Sequence, residues 1–125
     1  MDRDVTVLRR FDIYKIPLDL GHNSYPRWVV VVSPQWFLDA AVNRPVLVVP
    51  LSASLDLFDQ RRVFRIEAAH PEFAQTGLET TSYAVLDYLS PVAREEFQPR
   101  RRRGILGPSL TAGIRAELRA FLDLG

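Results

Sequence analysis

The order of apolar and polar side chains divides the chain into several short extended segments and one long helical one. Residues 9–18, "RRFDIYKIPL", alternate so that Phe11, Ile13 and Lys15 share one face and Asp12, Tyr14 and Ile16 the other, which is the period of a strand. Residues 20–26, "LGHNSYP", hold Gly, Asn, Ser and Pro and predict a loop. "RWVVVVS", 27–33, is a β-branched run with no wet face and predicts a central strand. Ser33 and Pro34 then stand where a cap and a first helical residue belong, so a short helix or turn follows in "SPQWFLDAAV". "RPVLVVPLS", 44–52, is a second buried run, in which Pro50 marks the end of regular pairing or a bulge.

Further along, "VFRIEAA" at 63–69 alternates as a half-exposed strand does, "HPEFAQTGLETT" predicts a loop, and "SYAVLDYLS" at 82–90 predicts another strand. In the closing "SLTAGIRAELRAFLDLG", Leu110, Ile114, Leu118 and Leu122 recur every four residues with Phe121 beside them. That is the apolar stripe of an amphipathic helix, with Gly107 and Pro108 at its start and Gly125 after its last turn. Five short strands, short loops and a closing helix predict a small twisted antiparallel sheet or partial barrel capped by helices. It forms a single domain over residues 1–125.

Composition alters this picture little. The 125 residues are 47% apolar and 25% charged, enough for one core and unlike a disordered chain. Cysteine is absent, which excludes disulfides and thiolate metal sites and suits a reducing cytoplasm. His22 and His70 lack ligand-spaced neighbours, so neither a metal nor a cofactor is expected. No apolar stretch approaches the roughly 20 residues of a membrane span, and "MDRDVTVLRR" has no apolar core of signal-peptide length. Charge says more. The net charge is +1, but the basic residues are fifteen Arg and one Lys. Arginine suits bidentate contact with phosphate or carboxylate, and a GC-rich genome produces the same bias.

No GxSxG, P-loop, HExxH or cysteine nucleophile is present. The candidate chemistry rests on Arg27, Ser52, Asp87, His22 and the run Arg100 to Arg103. Arg27 and Ser52 stand at ends of the two most buried strands. If those strands are antiparallel neighbours, the two residues converge, and a guanidinium beside a hydroxyl suits a phosphate. The alternative is an arginine reaching water and a serine serving a turn. Asp87 is either a paired structural carboxylate or a general base or counter-ion to Arg27. His22 lies in the loop before Arg27 and titrates near neutral pH in its ordinary form. Arg100–Arg103 is a solvated surface run or a collector of polyanions. Tyr25 is the candidate stacking platform for a base, whereas Tyr14, Trp28 and Trp36 read as core or interface.

The segments "DIYKIPL", "PRWVVVVSP", "RPVLVVPLSAS", "TGLETTSYAVLDYLSPV" and "RRRRGILGPSLTAGIRAELRAFLDL" together resemble the MazF/PemK toxins of toxin–antitoxin systems, in order from about Arg10 to Leu124. The resemblance implies a mainly β fold with α: an SH3-like partial barrel of about five to seven antiparallel strands. A short helix follows the second strand and an amphipathic helix ends the chain. It implies a homodimer that cleaves single-stranded RNA at short sequences without metal, the substrate 2′-OH attacking the adjacent phosphorus. It also implies a cognate antitoxin with an acidic C-terminal tail. Arg27 falls on the arginine of the family's Arg-Pro-Val motif and is expected to be an electrostatic clamp and proton donor. Ser52 falls on the threonine of Pro-Leu-Thr and is expected to hydrogen-bond the scissile phosphate or the 2′-OH. His22 and Asp87 match two members of the PemK-type acid–base set, whose arginine is replaced by Val85. Asn23, Tyr25, Trp28 and Ser54 are the expected RNA contacts. Phe11 stands for the opening glycine, Trp28 for the proline after the arginine, and Tyr88 for a glutamine.

A second reading shares the fold. The CcdB toxins poison DNA gyrase by protein contact, and "YPRWVVVVS" with "FLDAAVNRPVLVVPLSAS" resembles them too. Their Trp-Gly-Ile tail is replaced here by "FLDLG". A third reading is a toxin-fold binding protein without catalysis.

Overall fold

A computed structural model of the chain describes residues 8–19, 25–40, 43–54 and 62–123. His22 and Asn23 lie outside them. The described residues form strands β1 (Asp12–Leu18), β2 (Tyr25–Val31), β3 (Val46–Ser52), β4 (Val63–Ile66), β5 (Ser82–Val85), β6 (Ser90–Val92) and β7 (Arg102–Ile105). Helix α1 (Gln35–Ala40) follows β2, the short α2 (Phe73–Thr76) precedes β5, and α3 (Pro108–Phe121) ends the described chain. The strands make one open antiparallel sheet in the order β4-β5-β3-β2-β1-β7, with β6 pairing beside β5 on β3. The expected mixed architecture, its strand number and both expected helices are therefore present.

Both faces of the sheet are covered, which is why β2 carries apolar residues without a break. Val30 and Val32 join Phe11, Ile13, Val49 and Leu51 under the α3 residues Leu110, Ile114 and Leu118. Val29 and Val31 face the other way, into a second core with Tyr14, Ile16, Leu18, Val46, Val48 and Phe97. Burying each such side chain contributes about 1.5–3 kcal/mol relative to exposure, so the four-valine run fixes β2 at the centre. The alternation foreseen for β1 holds, with Phe11 and Ile13 in one core and Tyr14 and Ile16 in the other.

Several local expectations change. Pro50 does not end pairing: it sits opposite Val29, and β3 runs on to Ser52. It stands where the far side of β3 passes from β6 to β5, a gap that tolerates the missing N–H. Ser33 does not cap α1, because its hydroxyl accepts the N–H of Leu47 at 2.8 Å. The extended segment at 82–90 breaks after Val85 into a 3₁₀ turn over Leu86–Tyr88. Gly107 offers α3 no side-chain cap. Glu72 reaches across instead, accepting Ser109 N–H at 3.0 Å and Leu110 N–H at 2.9 Å. Those two bonds, Leu110 first, hold its carboxyl below the usual range. Gly113 lets α3 lie directly on Phe64, whose ring a Cβ there would strike.

Phe11, the residue at the glycine position, has a φ of 72°. A left-handed L-residue costs about 1–2 kcal/mol. Burial of the ring and two guanidiniums offset it, with Arg10 at 4.8 Å and Arg115 at 5.4 Å from the ring centroid. Burial, and then the charge of Arg115, lower the pKa of Arg10.

The run Arg100–Arg103 is built into the fold. Arg101 binds Glu96 at 2.7 Å, and Arg102 binds the buried Asp12 at 3.1 Å. Arg103 donates to the Arg100 carbonyl at 3.0 Å. No helix among the described residues is long and apolar enough to cross a membrane.

Candidate active site

The register of the central strands decides which side chains meet. Trp28 pairs with Leu51 and Val29 with Pro50. The pairing ends at Trp28 and Leu51; extended by one step, its register brings Arg27 level with Ser52. Residues level with each other on antiparallel strands project to the same face, so Arg27 and Ser52 both belong to the face of the sheet opposite α3. Arg27 is half-buried and its Nε is buried, with Ile16 of β1 opposed on its other side. A guanidinium set into apolar surroundings presents its outer nitrogens with little freedom to turn away.

Ser52 is already engaged. Its hydroxyl donates to the Ser54 carbonyl at 2.6 Å and accepts the Ser54 N–H at 3.1 Å. Before donating to a ligand oxygen, the hydroxyl has to rotate away from Ser54. Ser54 itself is exposed and ties the end of β3 to the segment that follows.

The row does not stop at Ser52. Ser52 pairs with Tyr83 of β5, and Tyr83 with Arg65 of β4. Arg27, Ser52, Tyr83 and Arg65 therefore lie in one line across four strands, on the face opposite α3. Arg65 lies over the Tyr83 ring at 5.9 Å and reaches Glu67 at 3.8 Å. Neither Tyr83 nor Arg65 stood out in the sequence. Each occupies the outward position of a half-exposed alternation, and that alternation was the sole signal for them.

The remaining candidates are distributed around this row. Trp28 turns to the opposite face, packs on the α3-side core and lies under Lys15, whose Nζ is 5.8 Å from the ring centroid. It lines a cavity of about 100 Å³ with Leu51, Leu78 and Glu79. Tyr25 contributes its backbone to β2 opposite Leu18. Asp87 sits in the 3₁₀ turn beyond β5, where its Oδ1 accepts Arg62 N–H at 2.9 Å. Arg62 in turn binds Glu117 of α3 at 2.8 Å, so Asp87 joins a structural tie between β4, the turn and the helix. A wider, open cavity of about 440 Å³ lies beside β4, lined by Arg65, His70, Ser109 and Leu110. There His70 Nδ1 accepts Glu72 N–H at 3.0 Å, which places the proton of the neutral ring on Nε2, 3.5 Å from Ser109 Oγ. Among the described residues no group of three or more His, Asp or Glu is arranged to hold a metal ion.

Residues 9–122 match the family described as PemK-like, MazF-like toxins of type II toxin–antitoxin systems. No curated protein sequence matches the chain. Among solved structures, an endoribonuclease in complex with its cognate antitoxin from a Mycobacterial species superposes with a TM-score of 0.65 at 17% identity, over 95% of this chain and 96% of that one. A second endoribonuclease from a Mycobacterial species gives a TM-score of 0.66 at 16% identity, over 97% and 96%. At such identities the likeness establishes the fold.

Proposed function

The chain belongs to the PemK-like, MazF-like toxins of type II toxin–antitoxin systems, and on that premise we propose that it is a sequence-specific endoribonuclease acting on single-stranded RNA without metal. One observation supports the reading: the β2–β3 pairing ends at Trp28 and Leu51, and its register extended one step brings Arg27 level with Ser52. RNA brings its own nucleophile, so the protein has to orient the chain, stabilise charge and move protons. The 2′-oxygen bonds to phosphorus as its proton passes to solvent, the P–O5′ bond breaks, and O5′ takes a proton in its place. The products are a cyclic phosphate and a 5′-hydroxyl.

In this reading Arg27 clamps the non-bridging oxygens and is poised to protonate the leaving O5′. An arginine holds its proton too tightly to begin as a base. Ser52 exchanges its bond to the Ser54 carbonyl for one to the scissile phosphate or the 2′-OH. Trp28 faces the other way, so the RNA contact expected of it falls on the opposite side of β2, with Lys15 on its ring. Asp87 and His22 are assigned weaker, supporting parts in proton transfer, and Asn23, Tyr25 and Ser54 further contacts to the strand. The protein works as a cytoplasmic homodimer restrained by a cognate antitoxin with an acidic tail.

Purified protein incubated with mixed-sequence RNA in EDTA tests this. Wild type is expected to cleave. Arg27→Ala is expected to lose about 10²–10³-fold in rate, the scale of one preorganised donor to a developing charge. Undiminished cleavage by Arg27→Ala would sink the assignment. Intact RNA together with inhibited gyrase supercoiling would hand the function to the CcdB-like reading.

A further inference from the structure

We infer that the row of the candidate site continues into a nucleotide-binding track, with Tyr83 a stacking platform for a base flanking the scissile phosphate and Arg65 a contact to a phosphate further along the strand. The inference rests on the nuclease reading for the place of the scissile phosphate. It adds two residues which that reading does not use.

The geometry comes from the pairing. Ser52 opposes Tyr83 and Tyr83 opposes Arg65, and the partners of these three on the other face are Leu51, Ala84 and Phe64. Leu51 and Ala84 are buried in the core under α3, and Phe64 packs against it. The alternation therefore forces Ser52, Tyr83 and Arg65 outward as a set. Adjacent strands lie about 4.8 Å apart, so Arg27 and Arg65 stand about 14 Å apart with a hydroxyl and a phenol ring between them. That spacing spans about two nucleotides of a single strand, with an aromatic ring between the two cations for a stacked base. A protein without other chemistry there has little use for this order. Tyr83 is half-buried, and the Arg65 guanidinium carbon stands 5.9 Å from its ring centroid, so the two make one small π surface. Bases stack on such tyrosine and guanidinium surfaces whatever their sequence, because every base has a π-face.

The track also has an outlet. Arg65 is on β4, the edge of the sheet, and lines the open cavity of about 440 Å³ shared with His70 and Ser109. A strand leaving Tyr83 passes over that edge rather than into a wall. The substrate is accordingly a segment of several unpaired nucleotides, held beyond the cleaved bond.

The test uses the full chain, a minimal RNA oligonucleotide containing a mapped cleavage sequence, and the same oligonucleotide extended by flanking nucleotides. Tyr83→Ala and Arg65→Gln are expected to raise KM for the extended RNA by about tenfold, the lower part of the range for one stacked base, with kcat nearly unchanged. Tyr83→Phe keeps the ring and is expected to behave as wild type, which separates stacking from a folding defect. Arg65→Gln is expected to lower the slope of log affinity against log salt by about one contact. An unchanged KM for the extended RNA in both variants overturns the track while leaving the nuclease intact. If wild type cleaves nothing, anisotropy of labelled single-stranded RNA decides. Binding that weakens in Tyr83→Ala keeps the track and removes the nuclease reading, and absence of binding removes both.

Discussion

Two groups of arginines occupy this molecule in opposite ways. Arg100 to Arg103 are consecutive in the chain and look like a basic patch. Yet Arg101 is bound to Glu96, Arg102 to the buried Asp12, and Arg103 to a backbone carbonyl. Arg27 and Arg65 are far apart in the sequence and belong to different strands. The register of β2, β3, β5 and β4 lines them up around Ser52 and Tyr83. Within the run, Arg102 ties β7 to β1 and Arg101 ties the two 3₁₀ turns, whereas the members of the row come from four different strands. Charge density along a chain is thus a poor guide to charge available to a ligand, and the pairing of strands is a better one.

The contrast is open to direct attack. Arg102→Ala leaves the Asp12 carboxylate buried without its cation. It is expected to cost about 3 kcal/mol by urea denaturation, at the low end for a buried pair because Arg102 itself reaches water. Loss of less than the scatter of surface substitutions would mean that the run is ordinary surface after all.

Tyr14 reports on the same neighbourhood. Its hydroxyl is fully buried and has no hydrogen-bond partner among the described residues. Burial, then the charge of Asp12, push its pKa up to about 12, and Arg102 pulls the other way. The unfolded chain loses this proton near pH 10, so the contribution is complete below pH 10 and declines as pH rises toward 12. At about 1.4 kcal/mol per pH unit that amounts to about 2–3 kcal/mol. Stability measured from pH 9 to 12 should fall accordingly, and Tyr14→Phe should remove that part of the fall. An alkaline limb that survives in Tyr14→Phe belongs to another group.

Smaller effects complete the series. Arg101→Ala breaks a partly exposed pair with Glu96 and is expected to cost under about 1 kcal/mol. Arg65→Ala should change stability by no more than about 0.5 kcal/mol, since the side chain is exposed and its carboxylate partner distant. If Arg65→Ala unfolded the protein as readily as Arg102→Ala, the division between the two groups would collapse.

Much of the frame was legible in the sequence because two periodicities wrote it. The alternation of β1, the unbroken valines of β2 and the fourfold recurrence in α3 each reflect a face that has to be buried. The antiparallel pairing of β2 with β3, on which the proposed Arg27–Ser52 site depends, could be foreseen because both runs are continuously apolar and their ends are visible. Tyr83 and Arg65 could not, since their alignment depends on the pairing of β5 with both β3 and β4, and nothing local encodes it. Ser33 and Pro50 misled for a related reason. Their side chains are conditioned by β3 and by the exchange of its partners, not by the residues next to them. The arginine run is at the surface as a solvated run should be, but the pairing of Arg102 with Asp12 could not be read because the two lie ninety positions apart.

The pairing of β1 with β7, Asp12 opposite Ile105, has a consequence for how the protein is made. A ribosome releases β1, β2 and β3 early, and these can zip together while the rest of the chain is still being translated. Their α3-side face then stays bare, with Ile13, Val30 and Val49 waiting for Leu110, Ile114 and Leu118. Asp12 waits as well, for an arginine ninety positions downstream. The nascent chain therefore carries its guanidinium and hydroxyl on a half-built sheet, and folding is completed only when the last helix is delivered. Translation that stops early yields a sticky fragment rather than a finished toxin.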